Sequence, residues 1–247
     1  MSNNTEQGVP SVTTTKAAKK KGGAGSKIFT TIIVLAALAF GGYYLATNFL
    51  FTSSHSISIE NNKITTRNSG QDLLDKGLVL CDVNGKVRNV MTTEVNGKEI
   101  YNTAFFIGVP TDSSNTTAKC SGVQVTFGNF GATKSTIAKC GIYKLEYTPD
   151  FQDDGVSVLI DDENMKTAST EQWISFLEQK SYRFSKNDFE GLKSGKTTYA
   201  TCKSASLKYS VELKKESKND GNDNIVYEVN FKSFSIARDV AVSFKAK

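Results

Sequence analysis

The chain has 247 residues and a formal charge of +5, yet residues 1–51 hold five lysines against one acid, leaving 25 basic and 24 acidic side chains in the other 196 residues. The larger part is nearly neutral, so its charge offers no phosphate-binding surface and no nucleic-acid partner is expected. A single histidine limits imidazole-based catalysis and metal binding to one position.

Residues 1–27 are rich in Ser, Asn, Thr, Gly and Lys and hold almost no large apolar side chain. Such a segment cannot bury enough surface to offset the entropy of ordering, and it reads as a disordered basic tail. From Ile28 to Phe51 the sequence runs 24 residues without a charge. As a helix it would cover roughly 36 Å, enough to cross a hydrocarbon core of about 30 Å. Lys16, Lys19, Lys20, Lys21 and Lys27 precede it, whereas the next basic residue, Lys63, lies twelve positions beyond its end. The positive-inside rule then sets the amino terminus in the cytoplasm. The expectation is a signal-anchored, single-pass protein of the plasma (inner) membrane whose carboxy-terminal domain is periplasmic or extracellular.

Three features of the span offer alternatives. Ala39-Phe40-Gly41 has the small-x-small form of a signal-peptidase site. The Gly25-Ser26 junction resembles a type IV prepilin processing site, although Thr30 stands where that pattern has glutamate. Ala37 with Gly41, and Gly42 with Ala46, are small-xxx-small pairs that would let two copies pack as a homo-oligomer.

Residues 52–58, including His55, read as a solvated juxtamembrane linker, and residues 59–247 as the ectodomain. Ser56–Glu60 and Lys63–Arg67 are expected as strands about an Asn61-Asn62 turn. Asn84-Gly85 supplies the positive φ angles of a hairpin turn between Gly77–Val83 and Lys86–Met91, and a second Asn-Gly at 96 and 97 leads into Lys98–Val109. Further strands are expected at Cys120–Phe127, Ile137–Thr148 and Val156–Ile160. Ser169 and Gln172 form a capping box for a helix over Thr170–Lys180, and Ser185 with Asp188 signals a shorter one. Leu207, Tyr209, Val211 and Leu213 alternate on one strand and are expected to face Ile225, Tyr227, Val229 and Phe231, with residues 216–224 as an exposed loop. Val240, Val242 and Phe244 suggest a last strand. The fold class is α+β and β-dominated, an antiparallel β-rich ectodomain with one or two short helices and a possible sub-boundary near 149–154.

Four cysteines, Cys81, Cys120, Cys140 and Cys202, follow the span, and an even count on an oxidising side favours two disulfides. If Gly128–Gly131 is a tight turn, Cys120 opposes Cys140, close enough to bridge. The second bridge would then join Cys81 to Cys202. No C-x-x-C spacing supports zinc, and Asp153-Asp154 and Asp161-Asp162-Glu163 read as solvated turns, with weak calcium binding as the alternative.

Thr198-Tyr199-Ala200-Thr201-Cys202 resembles the T-L-x-T-C motif of sortases. That pattern also requires a histidine well inside the domain and an arginine shortly after the cysteine. Residues 56–201 contain no histidine, and the next arginine is Arg238, so the resemblance is set aside. No phosphate-binding loop, dinucleotide fingerprint or metalloprotease motif occurs, and no cofactor is expected. The function expected is a non-enzymatic structural or assembly component of a cell-envelope complex of secretion, conjugation or appendage type. It would contact the lipid bilayer and other envelope proteins. The alternatives are a Ser-Lys envelope hydrolase, a ligand-binding or sensory ectodomain, and a pilin-like subunit.

Overall fold

Short alternating runs of apolar residues build thirteen strands in the structure, a computed structural model that describes residues 55–204, 206–219 and 225–239. In chain order these are β1 (Ile57–Ile59), β2 (Asn62–Ile64), helix α1 (Gly70–Asp75), β3 (Val79–Cys81), β4 (Glu94–Val95), β5 (Glu99–Ile100) and β6 (Phe105–Pro110). There follow β7 (Ala118–Asn129), β8 (Ser135–Thr136), a 3-10 turn at Ile137–Lys139, β9 (Gly141–Gln152) and β10 (Val158–Ile160). Helices α2 (Thr170–Gln179) and α3 (Lys186–Lys193) precede β11 (Tyr199–Ser204), β12 (Leu207–Asn219) and β13 (Ile225–Arg238). The domain is therefore β-dominated with few helices. Among the described residues no helix is long and apolar enough to cross a membrane. The expected span, the tail with its five lysines and the strand at 240–244 lie outside the described residues.

The main sheet is antiparallel and runs β11-β12-β13-β9-β7-β6-β3, with β5 also paired to β7. Residues opposed across an antiparallel ladder share a face, and two such rows form the centre of the core. Cys202, Tyr209, Ile236, Leu145, Val125 and Phe105 stand in one row, and Ala200, Val211, Phe234, Tyr147 and Val123 in the next. All are buried, each of the larger ones contributing about 1.5–3 kcal/mol of transfer free energy. Trp173, Ile174, Phe176 and Leu177 of α2, Phe189 and Leu192 of α3, and the strands of a small sheet ordered β10-β1-β2 join the same core. This core takes in residues on both sides of 149–154, where the chain continues within β9.

Local signals account for the helices. Ser169 and Gln172, and likewise Ser185 and Asp188, bond each other's backbone N–H groups in reciprocal capping boxes. These satisfy amides that the first helical turn leaves unpaired. Ser69 and Asp72 do the same for α1, a helix not expected from the sequence. The turn between β1 and β2 falls at Glu60-Asn61, with φ of 48° and 66°, one position earlier than expected. Both central residues are left-handed, as a two-residue turn matched to strand twist requires.

Two registers differ from expectation. No tight turn forms at 128–131: β7 continues to Asn129, whose side-chain amide donates to the carbonyls of Val95 and Thr133. Residues beyond it depart to pair β8 with β4 and to bury Ile137 before β9 begins. Gly128 therefore opposes Gly141, and Val123 opposes Tyr147. The final hairpin also extends further than expected, with Leu207 opposite Arg238 and Asn219 opposite Ile225. Tyr209 and Val211 thus face Ile236 and Phe234, while Tyr227 and Val229 face Ser217 and Lys215.

A second, smaller core lies on the other side of the sheet. Beyond β3 the chain turns at Asp82–Gly85, and Val87 returns beside Cys81. Lys86 bridges to Thr117, and the Ala118 amide donates to the Gly85 carbonyl. Since β3 pairs with β6 and β6 with the start of β7, these four segments close into a ring. Val79, Cys81, Phe106, Ala118 and Cys120 fill it, with Val87 packed against them.

Candidate functional site

His55 was expected in a solvated linker, but only 8% of it is exposed. The correction extends to the linker itself, because Ile57 is fully buried in β1. The partner responsible is Asp161, which lies 106 positions away. Asp161 and Asp162 form the left-handed turn after β10, with φ of 45° and 70°, a conformation that short polar side chains tolerate. The turn presents the Asp161 carboxylate to three donors. His55 Nδ1 lies 2.6 Å from Oδ2, the Ser56 amide donates to Oδ1 at 2.8 Å, and the Tyr182 hydroxyl donates to Oδ2 at 2.5 Å. Burial would push this carboxyl upward, but the bonds from His55, Tyr182 and the Ser56 amide outweigh it and hold Asp161 below the usual carboxylate range. The Tyr182 phenol is pushed far above its ordinary value, first by burial and then by the Asp161 charge.

Aromatic rings enclose the cluster. The imidazole stacks on Tyr182 with centroids 3.9 Å apart and meets the Tyr209 ring edge-on at 5.2 Å. The Ser56 hydroxyl is buried and has no hydrogen-bond partner among the described residues, so it forms no serine-histidine relay here. What this arrangement does is mechanical: one carboxylate ties the segment before β1 to the turn after β10 and to Tyr182 beyond α2.

The thiols are free and buried, and they do not meet as expected. The long connection between β7 and β9 carries Cys140 to the far end of the ladder, while the Cys120 carbonyl accepts from the Asp153 amide. Cys81 and Cys202 lie on β3 and β11, at opposite ends of the main sheet's strand order. The expected bridges Cys120 to Cys140 and Cys81 to Cys202 are therefore not brought together. Instead Cys81 and Cys120 share the interior of the small ring, where the Cys81 thiol donates to the Phe106 carbonyl at 3.6 Å and the Gly122 amide donates to the Cys120 sulfur at 3.5 Å. Cys202 opposes Tyr209 on the core face, so the cluster of His55 comes within one residue of it. Burial, reinforced by the Asp188 charge, nevertheless pushes its thiol up to about 12, the reverse of what a nucleophilic cysteine needs. Burial likewise raises Cys140.

The acidic clusters are engaged in ion pairs and turns. Glu163 pairs with Lys180 at 2.7 Å and Asp154 with Lys166 at 2.5 Å, while the Asp153 carboxylate accepts from the Gly155 amide. Among the described residues no group of three or more acidic, histidine or cysteine side chains converges as a metal site.

The distal part of the β12–β13 ribbon has no flanking strand among the described residues. Strand β11 covers β12 only as far as Glu212, and β9 covers β13 only from Phe234 onward. Beyond those points, at Leu213–Asn219 and Ile225–Phe231, the two strands pair with each other. The arm is pinned at its base by Phe231, which stacks on Trp173 with centroids 3.9 Å apart, and by the Thr170 hydroxyl, which donates to the Val229 carbonyl. Farther out Tyr227 is 61% exposed, with Lys215 Nζ 4.3 Å from its ring centroid. An open cleft of about 780 Å³ lies beneath the arm, lined by Pro149, Asp150, Lys166, Lys214 and Glu228 among others. The aromatic stripe was visible in the sequence, but its placement on a projecting arm depends on the register. Compared with known proteins, the chain matches no family model, no curated protein and no solved structure.

Proposed function

We propose that the chain is a non-enzymatic, membrane-anchored structural or assembly component of a cell-envelope complex, of secretion, conjugation or appendage type. In this reading residues 28–51 anchor it in the plasma membrane, and the β-rich domain outside the cytoplasm binds partner proteins. The observation that carries the reading is the projecting β12–β13 arm. Its outer strand edges have no flanking strand among the described residues, and exposed edges of this kind can receive an extended segment of another chain. Lys214 pairs with Glu216 and Lys218 with Glu228 on the arm, and Lys215 lies over the Tyr227 ring. Mixed charge discourages indiscriminate edge pairing, so a partner would be selected by complementary charge as well as by backbone bonds. The compact His55 cluster supports the reading in a second way, since it ties the membrane-proximal chain into the domain that displays the arm.

The test places a photo-crosslinking residue at Tyr227 of the full chain in its native membrane. Discrete crosslinked products containing an envelope protein are expected. A monomer that neither crosslinks nor retains a partner in mild detergent would overturn the proposal.

A further inference from the structure

We infer that Cys81 and Cys120 form a single disulfide inside the small ring, and that Cys140 and Cys202 remain thiols. The register supplies the contact. Cys81 on β3 and Cys120 on β7 both point into the ring from strands flanking β6. On β6 Gly108 stands opposite both Val79 and Cys120, and Cys81 lies one row along, opposite Phe106. A Cβ built there would lie 2.8 Å from the Cys81 sulfur, so the absent side chain is what lets the two thiols meet.

Closure of the ring is equally necessary. In an open sheet, strands separated by a third stand roughly 9–10 Å apart, beyond the reach of a disulfide. Pairing of Lys86 with Thr117 curls the sheet and turns β3 toward β7 across the interior.

The two thiols have different roles in the chemistry. The Cys120 sulfur accepts from the Gly122 amide at 3.5 Å, a bond between residues two apart that does not need the closed ring and that favours its thiolate. Cys81, fully buried in the finished ring with its thiol donating to the Phe106 carbonyl at 3.6 Å, is held protonated there. The oxidant is a small-molecule or protein disulfide. The Cys120 thiolate attacks one of its sulfurs, forming a mixed disulfide and releasing one thiolate. Cys81 then loses its proton and attacks the Cys120 sulfur, forming the bridge and releasing the second thiolate. The protein gives up two electrons and two protons, and the oxidant becomes two thiols. Exchange precedes ring closure during folding, because both sulfurs are buried afterwards.

In the cell the bridge rests on the proposed placement of this domain outside the cytoplasm, but the pairing itself can be tested apart from that. The full chain in mild detergent is reduced, unfolded, refolded in a buffer of reduced and oxidised glutathione, alkylated and digested. Mass spectrometry is expected to find one crosslinked peptide pair joining Cys81 to Cys120, with Cys140 and Cys202 alkylated. The Cys140→Ser, Cys202→Ser double variant keeps the bridge, and Cys81→Ser has none. Four alkylated cysteines in the refolded protein, or a bridge between any other pair, would overturn the inference. A bridge formed in buffer but missing from acid-quenched cells supports the pairing and overturns the topology.

Discussion

The imidazole of His55 and the hydroxyl of Tyr182 meet at one oxygen of Asp161, while their rings stack face to face at 3.9 Å. Two donors and a backbone amide converge on a carboxylate whose side chain is 12% exposed, so little water is available to replace any of them. Removing the charge leaves the donors to compete for a weaker acceptor. Asp161→Asn is therefore expected to destabilise the domain by about 2–3 kcal/mol, measured by urea unfolding with unchanged m. A loss under about 0.5 kcal/mol, the ordinary range for surface substitutions, would show that the cluster contributes little.

The same carboxylate has a pH signature. Its pKa in the folded state lies below the ordinary value because its hydrogen bonds outweigh burial. A depressed carboxylate stabilises the fold at pH values above the unfolded pKa, and that contribution is lost as pH falls through the folded one. The stability gap between wild type and Asp161→Asn should hold through mildly acidic pH and close below about pH 4, the unfolded range for aspartate. A gap that widened on acidification would contradict the assignment.

Phe231 ties the base of the arm to Trp173 by parallel stacking. Phe231→Ala removes that contact while leaving the rows around Phe234 and Ile236 in place. Amide exchange at Lys215–Ser217 and Tyr227–Val229 is expected to accelerate at least about tenfold, with β7 and β9 unchanged, as a local opening would give. Uniform acceleration across all strands would show that the arm is cooperative with the core.

Gly108 lies where a methyl group would meet both the Cys81 sulfur and the Ala118 Cβ at 2.8 Å. Gly108→Ala should cost about 1–3 kcal/mol through overpacking and lower the yield of the Cys81 to Cys120 bridge on oxidative refolding. Full stability with an unchanged bridge would show that the ring has spare room.

Oxidation itself has a measurable effect. A bridge closing about 40 residues is worth about 4 kcal/mol in the chain-entropy model. The reduced protein should unfold at correspondingly lower denaturant than the oxidised one. Coincident curves would mean that no bridge forms or that native strain cancels it.

Elements whose cause is local were legible in the sequence. Ser169 with Gln172 and Ser185 with Asp188 announce two helices because the cap and its partner lie three residues apart. Ser69 with Asp72 carries the same signal, but α1 has only six residues and little apolar periodicity to mark it. Strands were legible as alternating runs, whereas their registers depend on distant groups. Asn129 engages Val95, and that contact replaces a tight turn with the excursion that separates Cys120 from Cys140. His55 illustrates the same limit, since nothing near it in sequence signals the aspartate that buries it. The Cys81 and Cys120 contact needs ring closure through Lys86 and Thr117, a relation between segments that no spacing rule reveals.

Strand β1 occupies the middle of its small sheet, with β10 on one side and β2 on the other. A pull on the chain just before it runs along the strand axis and loads both ladders in shear. The hydrogen bonds at Ile57, Ser58 and Ile59 then share the force instead of parting one at a time, as they would at a peeled edge. A load arriving from the amino-terminal side would meet a mechanically stiff attachment for so short a segment, and the domain would move as a body before that strand gave way.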